Sequence, residues 1–187
     1  MTPTSLAGVL ASAVFICAAH ASVAQDEGKT KATELASTSQ AALKQLYASV
    51  PLAKELGPKA QAILVFPKVT KAGLGIGGQY GEGALLKGGT AAGYYKTTGA
   101  SFGLQAGGQQ YGYAMLFMNA KALEQLDNAK GFEVGVGPSV VLVDEGMAKT
   151  TTTTTLKDDI YAFVFGQKGL MAGLGIQGNK ITAIKPK

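Results

Sequence analysis

The sequence predicts an α+β fold that is mainly β. We expect a glycine-rich, curved antiparallel sheet or small barrel, an N-terminal amphipathic helix and one short helix. Three observations lead to this expectation. Apolar residues between Leu35 and Val50 recur at near-helical spacing. Glycine occupies 26 of the 187 positions, and all but three of these lie at or after Gly73. In that part of the chain glycines alternate with apolar residues, which is the two-residue period of a strand.

The first 24 residues have the pattern of a signal segment. Leu6–Ala18 is an apolar core that is too short to span a bilayer. Small residues follow it, and they predict cleavage after Ala24 or, alternatively, after Ala21. We therefore expect an exported protein that is periplasmic or associated with an outer membrane.

Cys17 is the only cysteine and His20 the only histidine, and both lie within the signal segment. Lipidation of Cys17 is disfavoured because Val14-Phe15-Ile16 lacks the small residue usually found before a lipidated cysteine. The mature chain then has neither cysteine nor histidine, which excludes disulfides, zinc-thiolate sites and catalysis by these residues. We expect no enzyme activity, no metal and no cofactor.

After the signal segment, residues 25–34 are polar, and residues 35–187 are expected to form a single domain. Of the polar segment, residues 25–32 are expected to be frayed. The first helix should end at Pro51, which stops or kinks it. A shorter helical piece, Leu52–Leu56, is expected before Gly57-Pro58.

Three segments predict the first strands. Ala60–Phe66 indicates a buried strand closed by Pro67. Gly88-Gly89 predicts a turn, with Ala92–Thr97 as the returning strand. Tyr111–Met118 is a further apolar strand.

Asn119 should cap a short helix over Ala120–Ala129. Thr150–Thr155 is β-branched throughout and favours an edge or surface strand, with a flexible polar linker as the alternative. Asp159–Phe165 and Ile181–Ile184 are expected to complete a sheet of about eight to ten short strands.

A heptapeptide recurs after 100 residues: Ala-Gly-Leu-Gly-Ile-Gly-Gly at 72–78 and Ala-Gly-Leu-Gly-Ile-Gln-Gly at 172–178. Both copies contain G-x-G-x-x-G, yet neither is followed by the helix and the acidic residue that a dinucleotide site requires. We therefore expect no nucleotide. Alternation makes these residues glycine faces of strands, which permit close backbone approach and curvature, and we expect the two strands to lie close together with these faces against other protein. The structural glycines are Gly73, Gly75, Gly77, Gly173 and Gly175.

All 17 basic residues are lysine, and the formal net charge is +5. Arginine provides the rigid fork that reads phosphates and base edges, whereas lysine acts as a point charge. The composition therefore favours diffuse attraction to anionic surfaces over nucleic-acid recognition.

Four segments together resemble the SYLF domain family. They are Ala62–Pro67, Lys71–Gly83, Ser101–Gly108 and Gln167–Gly173, in the family's order. Bacterial members are secreted or periplasmic, and eukaryotic members act with phosphoinositide membranes and actin regulators. The resemblance covers about residues 32–184. It implies a non-enzymatic protein that binds anionic phospholipid or phosphoinositide headgroups at a membrane surface.

Within the matching region, the resemblance implies lipid contacts by lysines, and we assign them to Lys54, Lys59, Lys68 and Lys71. The alternative is a structural envelope protein that binds a protein partner through a sheet edge. The acidic pairs Asp144-Glu145 and Asp158-Asp159 do not predict catalysis, because adjacent carboxylates on a strand point to opposite faces.

Overall fold

A computed structural model describes residues 15–127, 131–134, 139–143, 158–169 and 178–186. The helices are α1 (Phe15–Ser49), α2 (Pro51–Leu56) and α3 (Ala120–Glu124), with 3₁₀ turns over Gly57–Lys59 and Gln125–Asp127. The strands are β1 (Ala62–Lys87), β2 (Thr90–Phe117), β3 (Phe132–Glu133), β4 (Val140–Val143), β5 (Ile160–Gly169) and β6 (Lys180–Ile184).

Helix α1 is longer than the sequence predicts. The expectation that residues 25–32 are frayed is wrong, because the helix continues through them without interruption. The segment consists largely of Gln, Glu, Lys and Ala, which are strong helix formers, and Gly28 is its only strongly unfavourable residue. The predicted stop at Pro51 is confirmed, since α1 ends at Ser49 and Pro51 begins α2.

The predicted apolar face of α1 packs on the sheet. Ala42, Leu46 and Val50 are buried there. Ser39 is also buried, and its hydroxyl donates to the carbonyl oxygen of Val65 at 3.3 Å. The amphipathic helix is confirmed, and its contact face is fixed to β1 by a polar as well as an apolar contact.

The sheet is a strongly curled half-barrel, which confirms the predicted fold class. Strand β2 lies at its centre, with β1 along one edge and both β5 and β6 along the other. The order β3-β6-β2-β5-β4 completes the sheet. One departure from the antiparallel expectation is the pairing of β4 with β5, which is parallel.

The expectation of many short strands is wrong for the first half of the sheet. Strands β1 and β2 have 26 and 28 residues and form one hairpin. Its turn is the predicted Gly88-Gly89, and both glycines have positive φ, at 57° and 83°. At about 3.3 Å per residue, β1 would be roughly 85 Å long if straight. A domain of this size has a radius of gyration of only about 16 Å, so such strands must curl.

Pro67 does not close the first strand as expected. Phe66 pairs with Tyr113, and Val69 pairs with Tyr111, so Pro67 and Lys68 form a bulge. Proline cannot donate to a sheet ladder, and a bulge is one of the few places where a strand tolerates it. The chain therefore continues as a strand beyond the proline.

Alternation along the strands builds two cores, one on each face of the sheet. Phe66, Tyr113 and Met115 belong to the core on the face away from α1. Val65 and Leu116 belong to the core beneath α1. Both faces of the central hairpin are thus buried over this stretch.

Two glycines allow β1 to pack against itself. A Cβ atom added at Gly83 would lie 2.2 Å from the carbonyl oxygen of Val65, and one added at Gly81 would lie 2.9 Å from that of Lys68. The interpretation of these glycines as sites of close backbone approach is confirmed here. Gly78, by contrast, is exposed, and a Cβ there would meet only the carbonyl oxygen of Gly99, at 3.8 Å.

The other predicted structural glycines are described in part. Gly73 and Gly77 lie in β1 and are half-buried, and Gly75 pairs with Gly103. Gly173 and Gly175 lie outside the described residues, as does the threonine run at 150–155. The strand expected at 172–176, and its distance from the first copy, therefore remain predictions.

The residues that directly follow the two heptapeptides meet in the core. Gln79 donates a hydrogen bond from its Nε2 atom to Oδ1 of Asn179, and both side chains are buried. The Tyr111 hydroxyl donates to Oε1 of Gln79 at 2.7 Å. Gly99 lies between the two amides, and a Cβ there would be 2.2 Å from Asn179 Oδ1. The missing side chain at position 99 lets the two amides meet.

The short helix α3 has the predicted cap, since the Asn119 side chain accepts from the backbone N–H of Ala122 at 2.8 Å. The helix ends sooner than predicted, because a 3₁₀ turn over Gln125–Asp127 replaces its last turn. Leu126 is buried in the core on the face of the sheet away from α1.

We predict that Gly83→Ala destabilises the protein by about 1–3 kcal/mol, because the new methyl group overlaps backbone that cannot move aside cheaply. Gly78→Ala is the matched control and should change the free energy of unfolding by no more than about 0.5 kcal/mol. Urea denaturation followed by circular dichroism measures both. Equal effects of the two substitutions would contradict the close approach.

We predict that Gln79→Ala and Asn179→Ala are coupled by about 1 kcal/mol in a double-mutant cycle of unfolding free energies, because each removes the partner of a buried amide. The pair Gln79→Ala and Lys121→Ala serves as the control and should be additive. Additive effects of the Gln79 and Asn179 substitutions would show that the two amides do not meet in solution.

The buried tyrosines predict a loss of stability at alkaline pH. Burial raises the pKa of Tyr111 to about 12 and raises the pKa of Tyr113 further, with the neighbouring Tyr111 as a smaller cause. In the unfolded chain each ionises near pH ~10. The folded state therefore holds more protons above that pH, and stability falls as pH rises. Tyr113→Phe should make this decline shallower in urea denaturations between pH 9 and 11.5. An unchanged slope would contradict the prediction.

Candidate functional site

The four predicted lysines occupy two parts of the fold. Lys54 lies on α2 and Lys59 on the following 3₁₀ turn, and both are exposed. Lys59 Nζ lies 3.4 Å from Oε1 of Glu55, in an exposed ion pair one helical turn apart. Lys68 and Lys71 lie on β1, where Lys68 is exposed and Lys71 half-buried. The structure therefore does not gather the four into one cluster.

A break in the sheet surrounds Lys68. On one side of β2, the bulge at Pro67-Lys68 interrupts the ladder with β1. On the other side, Gln110 pairs with Lys168 and Gly112 with Phe165, which leaves one extra residue in β5. Gly166 lies in this second bulge with φ of 61°. The two strands that pair with β2 here, β1 and β5, thus each have a bulge at the same level of the sheet.

A pocket of about 210 Å³ opens at this level, and we call it the double-bulge pocket. Its lining residues are Gln45, Pro67, Lys68, Gln110, Tyr111, Gly112, Phe165, Gly166 and Lys168. Two of them are lysines, and none of these lining residues carries a carboxylate. Bulges occur often next to binding and active sites, because they redirect side chains. Here they bring together Lys68 and Lys168 from strands that do not pair with each other in the described sheet.

Packing beneath the pocket fixes its shape. A Cβ atom at Gly112 would lie 2.5 Å from the ring of Phe165, so the ring fills the space that a side chain would take. The Gln45 side chain of α1 reaches the pocket from above, with Nε2 3.2 Å from where a Cβ of residue 166 would lie. The pocket is therefore bounded by two bulged strands, the central strand and the helix.

A larger groove of about 650 Å³ lies between α1 and the outer part of the sheet. It combines Lys31, Lys96 and Lys185 with the carboxylates of Glu34 and Glu82. Tyr80, 49% exposed, lies in this groove, and its hydroxyl donates to Glu82. This hydrogen bond is the main reason why the pKa of Tyr80 rises to about 12. The groove has mixed charge and is less selective for an anion than the double-bulge pocket.

Asp159 is an acidic residue that serves the fold. Asp159 accepts from the Asn119 side chain at 2.7 Å and from the backbone N–H of Ser139 at 3.2 Å. The hydrogen bond from Asn119 is the main cause of the lowered pKa of Asp159. Asp144 and Glu145 lie outside the described residues. Among the described residues, no three His, Cys, Asp or Glu side chains are grouped to hold a metal ion.

Sequence reasoning found Lys68 but missed Lys168 as its neighbour. A lysine precedes each copy of the heptapeptide, Lys71 before the first and Lys168 before the second, and this repetition was the available signal. The convergence of Lys68 and Lys168 depends on two register shifts, which no local pattern reveals. No sequence pattern indicated that Gln45 and Gln110 would line the pocket.

None of the helices in the described ranges combines the length and apolar character needed to cross a bilayer. The search of curated proteins gave no significant match. Residues 98–186 match a family model described as "Ysc84: Las17-binding protein actin regulator". This segment contains most of β2, the strands that follow it and two of the four segments that carry the resemblance.

The family is linked to actin regulation and lipid binding, and its members are binding or regulatory domains, not known enzymes. The match confirms the resemblance over the second half of the chain, including Lys168 and the three residues of β2 that line the double-bulge pocket. Residues 98–186 are therefore similar to the SYLF domain family, whose model bears the name Ysc84, and this match is consistent with a SYLF domain.

Proposed function

We propose that this protein is a non-enzymatic lipid-binding protein that recognises anionic phospholipid headgroups, phosphoinositides among them, at a membrane surface. The observation that carries the proposal is the double-bulge pocket, whose lining residues include two lysines and no carboxylate. The match of residues 98–186 to a family linked to lipid binding supports the same function.

The lysines outside the pocket have different expected weights. A lysine near an anionic membrane surface contributes about 1 kcal/mol to binding. Lys54 is exposed on α2 and can contribute in this way. Lys59 already pairs with Glu55, so its contribution should be smaller. Lys71 is half-buried and pairs with Gln109 in the β1–β2 ladder, so we expect it to act mainly by adding positive charge near the sheet surface.

The proposal includes export, with residues 1–24 as a signal segment and a periplasmic or outer-membrane setting. In the periplasm, an exported protein would face the outer surface of the inner membrane and the inner surface of the outer membrane. Sequencing of the N-terminus of the exported protein would test this part separately from lipid binding.

A second candidate is the binding of a protein partner through a sheet edge. Within the described pairings, β1 has β2 as its only partner, so one edge of a 26-residue strand has no ladder. The approach of Gly81 and Gly83 to residues 65–69 covers part of this edge. An added strand would pair with the part of β1 that lies between residue 69 and Gly81.

We predict that the protein sediments with vesicles containing an anionic phospholipid and not with neutral phosphatidylcholine vesicles, and that added salt weakens this binding. The variant Lys54→Gln/Lys59→Gln/Lys68→Gln/Lys71→Gln should bind several-fold more weakly, because it removes charge at the proposed contacts. The matched control is Lys87→Gln/Lys121→Gln/Lys180→Gln/Lys185→Gln. It has the same net charge as the first variant, and its binding to the anionic vesicles should weaken less.

One result would oppose this function, and a second would oppose the lysines assigned to it. Absence of binding to every vesicle would exclude a lipid surface as the ligand and would favour the protein partner. Equal losses in the two quadruple variants would show that net charge alone drives binding and that the assigned lysines have no special role.

A further inference from the structure

We propose that the double-bulge pocket binds a phosphomonoester dianion in preference to a phosphodiester monoanion. The group would belong to a lipid headgroup such as that of phosphatidic acid, and to that extent this inference rests on the proposed function. The same chemistry is carried by small soluble phosphomonoesters, which provide an independent test.

The size of the pocket restricts what it can hold. Its volume of about 210 Å³ is below the roughly 300–1,000 Å³ of pockets that enclose whole small-molecule ligands. A complete phospholipid or a nucleotide therefore does not fit. A single phosphate group does fit, with space for some of its water, because each water occupies about 30 Å³. The rest of a lipid would remain outside the pocket.

The charge of the pocket favours a doubly charged group. Lys68 and Lys168 supply two ammonium groups, and the lining residues carry no carboxylate to compensate either one. A phosphomonoester carries a charge of about −1.5 to −2 at neutral pH, whereas a phosphodiester carries about −1. Two ammonium groups and one dianion neutralise each other. With a monoanion, one ammonium group would keep its charge without a counterpart.

The polar residues are arranged as hydrogen-bond donors for such a group. Gln45 places its amide nitrogen beside Gly166, at the pocket rim. Gln110 lies between its two cross-strand partners, Thr70 of β1 and Lys168 of β5, and is exposed. Glutamine donates through its amide NH₂ and lysine through its ammonium group. Four side chains from α1, β1, β2 and β5 can therefore donate to one anion.

The residues beneath the pocket support a fixed site. The Phe165 ring occupies the space beside Gly112, and Tyr111 is held by its hydrogen bond to Gln79. Lys68 lies in the bulge of β1, and Lys168 pairs with Gln110 beside the bulge of β5, so the ladders on both sides of β2 set their backbone positions. The floor of the pocket is therefore fixed, and the donors Lys68, Gln110 and Lys168 are exposed around it.

The test compares the wild-type protein with Lys68→Gln/Lys168→Gln and with the control Lys87→Gln/Lys180→Gln, whose exposed lysines lie outside the pocket. Vesicles of phosphatidylcholine contain either phosphatidic acid or phosphatidylglycerol, adjusted to equal surface potential. In a second arm, NMR titration compares glycerol 3-phosphate with glycerophosphoglycerol. Unfolding in urea confirms that each variant is folded.

We expect the wild-type protein and the control to bind phosphatidic acid vesicles more tightly than phosphatidylglycerol vesicles, by roughly tenfold, the scale of a charge-assisted hydrogen bond. The pocket variant should lose this preference while it retains residual binding to both vesicles. In the NMR arm, glycerol 3-phosphate should shift resonances of Gln45 and Gln110 in the wild-type protein and not in the pocket variant.

Each alternative result has a distinct meaning. Equal binding of the two lipids by the wild-type protein, or an equal loss on both lipids in the pocket variant, would overturn the phosphomonoester site and leave the proposed function standing. Absence of binding to all vesicles, with glycerol 3-phosphate still bound in a Lys68- and Lys168-dependent manner, would overturn the lipid function and support the pocket. Absence of both would overturn both.

Discussion

The close approach of β1 to itself is the constraint on which the rest of the structure depends. At Gly83 a side chain would overlap the carbonyl oxygen of Val65, and this same oxygen accepts the hydrogen bond from Ser39 of α1. One backbone position thus joins the beginning of the strand, its end and the helix. A strand of 26 residues can belong to a small domain only if it curls in this way. Curling also covers part of an edge that would otherwise remain unpaired, a general hazard for sheet proteins.

The curl also explains why the centre of the sheet contains polar side chains. Strand β2 has β1 on one side and β6 on the other, and at Gly99 the amides of Gln79 and Asn179 meet across it. An apolar pair could fill the same space, but it would not specify which residues face each other. A hydrogen bond between two buried amides, extended by Tyr111, penalises a shift of register by leaving its polar groups without partners. This network sets the alignment of three strands at one level.

Local signals predicted the elements whose causes are local. The spacing of Leu46 and Val50 gave the contact face of α1, and Gly88-Gly89 gave the hairpin turn. The lengths of β1 and β2 could not be predicted, because Pro67 usually ends a strand and only tertiary pairing reveals that it lies in a bulge. The pocket was beyond prediction for a related reason. Lys68 and Lys168 are 100 residues apart, and two one-residue register shifts bring them together, neither of which has a sequence pattern of its own.

The pocket and the curl have a common structural origin. A bulge increases the local twist of a strand and redirects its side chains. The bulges in β1 and β5 lie at the level of the sheet where Lys68 and Lys168 line one pocket. In a flat sheet with regular pairing, the strands that carry these two lysines would have no recess between them. The bulged strands of the curled sheet thus form a recess that two lysines line. The number and the sign of the charges around it then decide which ligand it accepts, and here two ammonium groups without a lining carboxylate favour an anion.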